Sequence, residues 1–312
     1  MSQDTIASAT QQARMIELLK RLAPTEGYTR SLLDGVTFMR ANQPLAHSPA
    51  LYEPSIVIVA QGRKRGVHGG NVHVYDAQHY LVLSVPLPFS IETEASEEEP
   101  MLGVALRIDA VMTAELALDV DEASPAASSK PATMYATRMD ARLSDATGRL
   151  LEALHSPTEA RLLGPSIVRE ITYRVLTGDQ GGSLRAALIQ GGHFGRIARV
   201  LRRIHAQFDQ DLDVPVLAGE ANMSVPAFHT HFKAVTTTSP IQYIKAIRLH
   251  QARLLMIRSG ENAATAAERV GYESPSQFSR EFKRLFGRSP TDETRYLKHL
   301  LALSPPAAHP QP

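Results

Sequence analysis

The stretch Gly271-Tyr272-Glu273-Ser274-Pro275-Ser276-Gln277-Phe278-Ser279-Arg280-Glu281-Phe282-Lys283-Arg284-Leu285-Phe286-Gly287-Arg288-Ser289-Pro290 decides how the chain is read. Fifty residues upstream the same marks recur: Ser224 answers Ser274, Phe228 answers Phe278, Phe232 answers Phe282, Lys233 answers Lys283, and Ser239-Pro240 answers Ser289-Pro290. So many matches at one interval mark a structural unit written twice. In each copy a short apolar helix (216–218, then 263–270) is expected to run into a tight turn, 221–224 or 271–274, and then a second helix, 225–233 or 275–283. Ser224 and Ser274 stand where an N-cap hydroxyl accepts from orphan backbone N–H groups. Pro275 suits the first helical position and Pro226 the first turn, where no intrahelical N–H is lost. The paired phenylalanines, four apart, share one face and pack inward, so the residues between them face outward. A helix pair across a tight turn, with a polar, basic second helix, is the helix-turn-helix pattern. Two in tandem is a more restrictive statement.

Length and composition bound the rest. A chain of 312 residues can bury two cores. It has no cysteine, which excludes disulfides, thiolate metal sites and thiol sensing. Residues 1–30 lack the apolar run of a signal peptide, and no stretch approaches transmembrane length. A cytoplasmic protein without a membrane partner is therefore expected. The net charge of +1 hides an asymmetry: residues 193–312 hold 16 Lys and Arg against 10 Asp and Glu, while residues 1–192 hold 17 against 22. Basic charge gathers where the repeat lies, as a phosphate backbone requires.

Residues 11–22 have the spacing of a leading helix. Short apolar runs at 36–39, 55–60, 72–75, 80–85, 89–93 and 102–108 read as strands, with breaks at Gln61-Gly62, Gly69-Gly70-Asn71, Pro86-Leu87-Pro88 and 96–100. Closely spaced short strands predict a small antiparallel β-barrel or sandwich. A short helix is expected over 109–118, a linker over 121–131, and helices over 141–154, 165–177 and 184–190. Leu143, Leu150, Leu151 and Leu154 form one apolar stripe, and Ile167, Ile171, Val175 and Leu176 another. Such helices either cover a face of the barrel or pair with a second subunit. Glycines at 191–192 mark a junction, and the Pro/Ala-rich tail from 304 reads as disordered. The expectation is an α+β chain: a barrel over 1–135, a helical linker or dimerisation region over 136–192, and an all-α domain with two helix-turn-helix motifs over 193–303.

The stretch from Gly271 to Pro290 closely resembles the signature of the AraC/XylS family of bacterial transcription regulators. Residues 214–240, with Met223-Ser224 and His231-Phe232-Lys233, resemble the first helix-turn-helix of the same domain. Tyr243-Ile244-Lys245-Ala246-Ile247-Arg248-Leu249-His250-Gln251-Ala252-Arg253-Leu254-Leu255 resembles its long central helix. The N-terminal motifs Tyr52-Glu53-Pro54-Ser55, Ala60-Gln61-Gly62-Arg63-Lys64 and His79-Tyr80-Leu81-Val82-Leu83-Ser84-Val85 resemble the cupin-like sensor arm of one subgroup. The resemblance implies a regulator of double-stranded promoter DNA, with RNA polymerase, a small-molecule effector and a second copy of the chain as partners.

A central helix over 241–258 would be a rod of roughly 27 Å, while successive major grooves on one face lie about 34 Å apart. One monomer with a reading unit at each end of that rod would span two turns of DNA. Outward positions near the start of each second helix approach base edges: Pro226, His229 and Thr230 in the first copy, Ser276, Gln277 and Arg280 in the second. Arg280 can pair bidentately with guanine, and Gln277 with adenine, unless Gln277 completes a capping box with Ser274. Thr230 stands where the family usually has arginine, so the first helix is expected to touch thymine methyls or chiefly the backbone. Ser224, Lys233, Ser274, Lys283 and Arg284 are assigned to phosphates, against the bland alternative of a solvated surface.

In the N-terminal half His68, His73 and His79 are spaced loosely, and no His-X-His pair falls in the barrel. No metal, cofactor or catalysis is expected. Tyr52, Tyr75, Tyr80, Phe89 and Arg107 are candidates to line an effector pocket, or else to fill a solid core. The competing reading is a cupin-type enzyme fused to a DNA-binding domain, or a regulator that needs no effector.

Overall fold

Alternation builds the N-terminal half. The strand β8 (Leu87–Glu94) turns Leu87, Phe89, Ile91 and Thr93 to one side, all buried, and leaves the residues between them partly open. β4 (Ser55–Gln61) has no such open side, because both of its faces are covered: Val57 and Val59 join the inner core, Ile56, Ile58 and Ala60 the outer one. These belong to a ten-stranded antiparallel sheet in the computed structural model, which describes residues 3–123, 131–188 and 192–300. The remaining strands are β1 (Gly27–Arg30), β2 (Val36–Ala41), β3 (Leu45–Tyr52), β5 (Arg63–His68), β6 (Asn71–Asp76), β7 (His79–Leu83), β9 (Met101–Arg107) and β10 (Met134–Arg138). Their spatial order is β1-β2-β9-β4-β7-β6-β5-β8-β3, with β10 added against β7.

The expected barrel is open. β1 and β3 are edges that pair on one side each, so the sheet is a curled half-barrel rather than a closed ring. β3 carries Pro49, which cannot donate to a further strand, and it has an irregular register between Leu45 and Ser48. Four strands escaped the sequence reading: β1, β3, β5 and β10. β8 also starts at Leu87, inside the expected Pro-Leu-Pro break.

Helices cover the sheet's outer face. α1 (Gln3–Leu22) is longer than expected and lays Met15 and Leu19 against it. After β9 comes α2 (Ala110–Ala123), which runs into the stretch expected as linker; residues 124–130 lie outside the described residues. α3 (Ala141–Ala153), α4 (Pro157–Leu162), α5 (Gly164–Thr177) and α6 (Gly181–Leu188) follow, α4 being unanticipated. The leucine stripe of α3 and the Ile167, Ile171, Val175 stripe of α5 share one core with Phe38, Ile56, Val104 and Leu106 of the sheet. They cover a face of the sheet. Of the expected junction glycines, Gly191 lies outside the described residues and Gly192 opens the next helix at φ 71, while the tail from 304 lies outside them.

The C-terminal half is helical: α7 (Gly192–Ala206), α8 (Val214–Glu220), α9 (Val225–Thr236), α10 (Pro240–Arg258), α11 (Ala263–Arg269), α12 (Pro275–Phe286) and α13 (Pro290–Leu300). Its two cores differ. The first holds Phe228, Phe232, Tyr243 and Ile247 together with Val85, and Leu51 of β3 packs against it. The second, around Phe278, Phe282, Phe286 and Met256, contains no residue of the sheet. The first core thus joins the two halves, while the second is built from C-terminal residues alone, with α12 also lying against β3.

Candidate nucleic-acid interface

The two reading units are near copies with a one-residue difference. α9 and α12 open at Val225 and Pro275, 50 apart, but α8 and α11 open at Val214 and Ala263, 49 apart. The surplus residue lies in the second turn, which starts at Val270 rather than at Gly271. Equivalent left-handed positions are Asn222 (φ 50) and Gly271 (φ 80), each followed by a matching bond: Met223 N–H to Ala218 O and Tyr272 N–H to Ala267 O, both 3.0 Å. Gly271 is required there. A Cβ would stand 2.9 Å from the Asp209 carbonyl and 3.2 Å from the Arg248 guanidinium carbon. Arg248 of α10 donates to the carbonyls of Phe208, Gln210 and Gly271 at 2.8, 2.8 and 3.0 Å, tying the rod to the turn of the second unit.

Both recognition helices are capped at each end. The Ser224 and Ser274 hydroxyls accept from Ala227 N–H and Gln277 N–H at 3.4 and 3.3 Å. α9 ends at Thr237 and α12 at Gly287, both left-handed. α10 has 19 residues, a rod of roughly 28 Å at 1.5 Å per residue.

The outward residues fall into two sets. Pro226, His229, Thr230, Ser276 and Arg280 are exposed, as are Ser224, Lys233, Lys283 and Arg284, while Ser274 and Gln277 are half-buried. Among the described residues, Lys233, Arg280, Lys283 and Arg284 make no hydrogen bond or ion pair. Most other cations of this half are engaged: Arg199 donates to the Glu220 carbonyl, Arg203 pairs with Glu220, Lys245 with Glu281 (2.7 Å) and Arg269 with Glu261. Thr230 bonds back to the Pro226 carbonyl at 3.0 Å, so its hydroxyl is occupied within the helix. Gln277 donates through Nε2 to Glu281 Oε1 at 3.2 Å. The reciprocal bond of a capping box, from the Ser274 N–H to the Gln277 side chain, is not among the bonds of the described residues. Glu281 also accepts from Tyr272 at 2.7 Å. Burial alone would raise its pKa; the bonds from Lys245, Tyr272 and Gln277 outweigh that and hold it below the usual carboxylate range.

Besides the packing of Val85 and Leu51, polar and turn contacts join this half to the sheet. The Tyr243 hydroxyl donates to the Pro86 carbonyl at 2.7 Å. Arg253 of α10 donates to the Pro49 carbonyl on edge strand β3 at 2.8 Å, while lying over the Phe286 ring at 4.4 Å and pairing with buried Glu293. The β5–β6 turn at Gly69 touches Thr237.

The five candidate pocket residues do not share one site. Tyr52, Tyr75 and Phe89 belong to the inner core of the sheet, with Tyr52 edge-on to Phe89 at 5.0 Å between centroids. Tyr80 lies in the outer core, because its neighbours Leu81 and Leu83 take the inward positions of β7; burial pushes its hydroxyl up to about 12. Arg107 is exposed and paired with Asp34 at 2.7 Å, beside a cleft of about 250 Å³ lined also by Glu53, Arg202 and His205. Of the histidines, His79 bonds Asp76 at 3.1 Å, and burial lowers the pKa of His68 and His73.

Residues 32–183 match the family model for the AraC-type transcriptional regulator N-terminus, and residues 217–296 match a helix-turn-helix domain model. The chain belongs to the AraC-type transcriptional regulators. This AraC-type chain is 35% identical over 94 residues to the regulator AlkR of Acinetobacter baylyi, covering 30% of this chain and 31% of AlkR. It is 30% identical over 97 residues to the transcriptional activator RhaS of Klebsiella pneumoniae, covering 31% of this chain and 35% of RhaS. The chain spans about a third of the length of these curated relatives. A longer likeness is one of fold alone: ToxT from Vibrio cholerae, solved with an unsaturated fatty acid bound, superposes with a TM-score of 0.58 at 12% identity over 87% of this chain and 96% of that one.

Several residues of this AraC-type chain were invisible to motif reading. Arg248 and Arg253 read as ordinary polar positions of the central helix, yet both are spent on backbone carbonyls. Lys64 sits in the run Arg63-Lys64-Arg65, which reads as surface. Strand alternation was the available signal: with Arg63 and Arg65 paired outward to Glu92 and Glu94, Lys64 must point the other way.

Proposed function

We propose that this chain is a sequence-specific double-stranded DNA-binding transcription regulator, an activator, whose N-terminal half responds to a small molecule. The observation that carries the reading is the set of four uncommitted cations, Lys233, Arg280, Lys283 and Arg284, on the exposed faces of two capped helices joined by one rod. Lys233, Lys283 and Arg284, with the Ser224 and Ser274 hydroxyls, bind phosphates. Arg280 reads guanine; Ser276 and Gln277 flank it. Pro226, His229 and the Thr230 methyl offer the first groove a largely apolar surface suited to thymine. The activator sense follows RhaS, which is named an activator. The effector follows the ligand-bound state of the similarly folded ToxT, solved with an unsaturated fatty acid.

The reading gives the chain no catalytic step, in keeping with relatives named as transcriptional regulators, and sets it in the cytoplasm with RNA polymerase and a second copy as partners. No described helix is long and apolar enough to cross a membrane. The test is the salt dependence of promoter-DNA binding by the full chain. Neutralising several phosphates makes affinity fall steeply with salt, by about tenfold or more between low and moderate ionic strength. A flat dependence contradicts the phosphate assignments.

A further inference from the structure

The two reading units brace their recognition helices at the same place with different side chains. In the second unit Lys245 of α10 pairs with Glu281 of α12 at 2.7 Å, and Arg248, one turn further on, donates to the carbonyl of left-handed Gly271. His193 and Arg196 of α7 lie 52 residues before Lys245 and Arg248, and His231 of α9 lies 50 before Glu281. Their contacts match too. Arg196 donates to the carbonyl of left-handed Asn222 at 3.3 Å. The His193 ring stacks on His231, with centroids 3.8 Å apart and planes 12° from parallel. Where one copy of the repeat has an ion pair, the other has two histidines.

Arginine has donors only, so the 2.8 Å bond between Arg196 Nη2 and His193 Nδ1 makes that nitrogen the acceptor. The proton of the neutral ring is then on Nε2. A second proton has to go to Nδ1, where it removes the acceptor and sets a new cation against Arg196 and beside the His231 ring. Partial desolvation, His231 and Arg196 all lower the His193 pKa. Among the described residues neither ring has a carboxylate partner. Glu220 of α8 is paired with Arg203, and the other titratable neighbours of His231 along α9 are His229 and Lys233. Lys245 and Glu281, by contrast, keep opposite charges throughout the histidine range, the Glu281 pKa being lowered by its bonds.

We propose that His193 and His231 are positioning residues for the first recognition helix, so that base reading by the first unit is lost as pH falls while reading by the second is kept. This rests on the reading of the chain as a DNA-binding regulator and deepens it. The stack and the Arg196 bonds hold α9 and the turn at Asn222 against the start of α7. The braced state binds fewer protons than the released one, so the brace is complete above the histidine range and is lost as pH drops through it. Falling pH also adds positive charge, which strengthens binding to every DNA sequence. The two effects have opposite sign, and sequence discrimination isolates the first.

The experiment is competition binding by the full chain at about pH 7.5 and about pH 5.5, either side of the histidine range. The competitors are duplexes altered in one element of the bound site at a time, the second element being the one that Arg280→Ala erases. At the lower pH, discrimination at the first element falls by about tenfold, the size of one lost hydrogen bond from a charged donor, while discrimination at the second is unchanged. His193→Lys combined with His231→Glu installs the second unit's ion pair in the first and keeps first-element discrimination at both pH values. His193→Phe stacks but cannot titrate; it also flattens the profile, and it decides the question if the double variant is unfolded by circular dichroism. First-element discrimination that ignores pH in the wild type, or an equal fall at both elements, overturns the positioning role. So does a pH dependence that persists in the folded variants, which traces it to His229. Absence of discrimination at either element at the higher pH overturns the DNA reading and this role with it.

Discussion

Gly69 and Thr237 touch so closely that a Cβ on the glycine would stand 2.6 Å from the threonine Cγ2. Gly69 (φ +56) and Gly70 (φ +81) form the two-residue turn between β5 and β6, and both need the left-handed region. Thr237 is left-handed as well, at φ 63, where the second copy of the repeat has Gly287. A β-branched residue in that region is strained. The sheet therefore presses a two-glycine turn against a strained cap at the end of the first recognition helix. The same strand, β5, carries Lys64 on the inward face.

Gly69→Ala is expected to destabilise the full chain by about 1–3 kcal/mol, from the strained φ and the collision together. Thr237→Gly removes both the strain and the obstructing methyl, and is neutral or stabilising alone. In the double variant it recovers part of the Gly69→Ala loss, because the two residues are in contact. Urea melts of the four proteins give the coupling. Strict additivity contradicts the contact.

Glu281 gathers Lys245 of the rod, Tyr272 of the second turn and Gln277 of the recognition helix. Glu281→Ala leaves three donors without their acceptor and costs about 1–3 kcal/mol in denaturant unfolding. It also frees the Gln277 amide, so base preference beside the Arg280 position changes in the same variant. Unaltered stability would mean that the network holds nothing in place.

His205 and His250 supply a pH dependence. Burial lowers the His205 pKa to about 4 and sets His250 well below the ordinary value, and each has an Nε2 without a hydrogen-bond partner. The folded chain binds fewer protons than the unfolded one between about pH 6.5 and about pH 4, so stability is full above that window and falls as pH drops through it. His205→Gln is expected to narrow the stability difference between pH 7.5 and pH 5 by about 1–3 kcal/mol. Equal pH slopes for wild type and variant would contradict a buried neutral His205.

The repeat was legible because Ser-X-X-X-Phe-X-X-X-Phe-Lys joins caps, inward phenylalanines and a cation in ten positions, an order that few surfaces copy. The one-residue slip in the second turn was not, since Glu273 and Gly271 leave the match at Ser274 intact. β3 was hidden by Pro49, which reads as a breaker but sits on an edge whose carbonyl Arg253 satisfies. β5 was hidden by three cations in four residues, two of which pair outward while the third turns in. Tyr80 was grouped with Tyr75 because both are strand tyrosines; only the register of β7 shows that they lie on opposite faces.

Arg280 and Lys283 separate the two kinds of DNA contact. Arg280→Ala is expected to lose discrimination at one base position by about 1–3 kcal/mol, with affinity for random DNA falling little. Lys283→Ala should weaken all sequences alike and lower the salt slope by about one. The check is competition binding against a panel of singly substituted sites. A uniform loss for Arg280→Ala would move that residue to the phosphate set.

Selection of bound sites from random double-stranded DNA by the full chain bears most directly on the whole reading. Two units on one rod predict an enriched site of two unlike elements about one helical turn apart, without palindromic symmetry, the sharper element being erased in Arg280→Ala. No enrichment, or a site confined to one element that Arg280→Ala leaves unchanged, would contradict it.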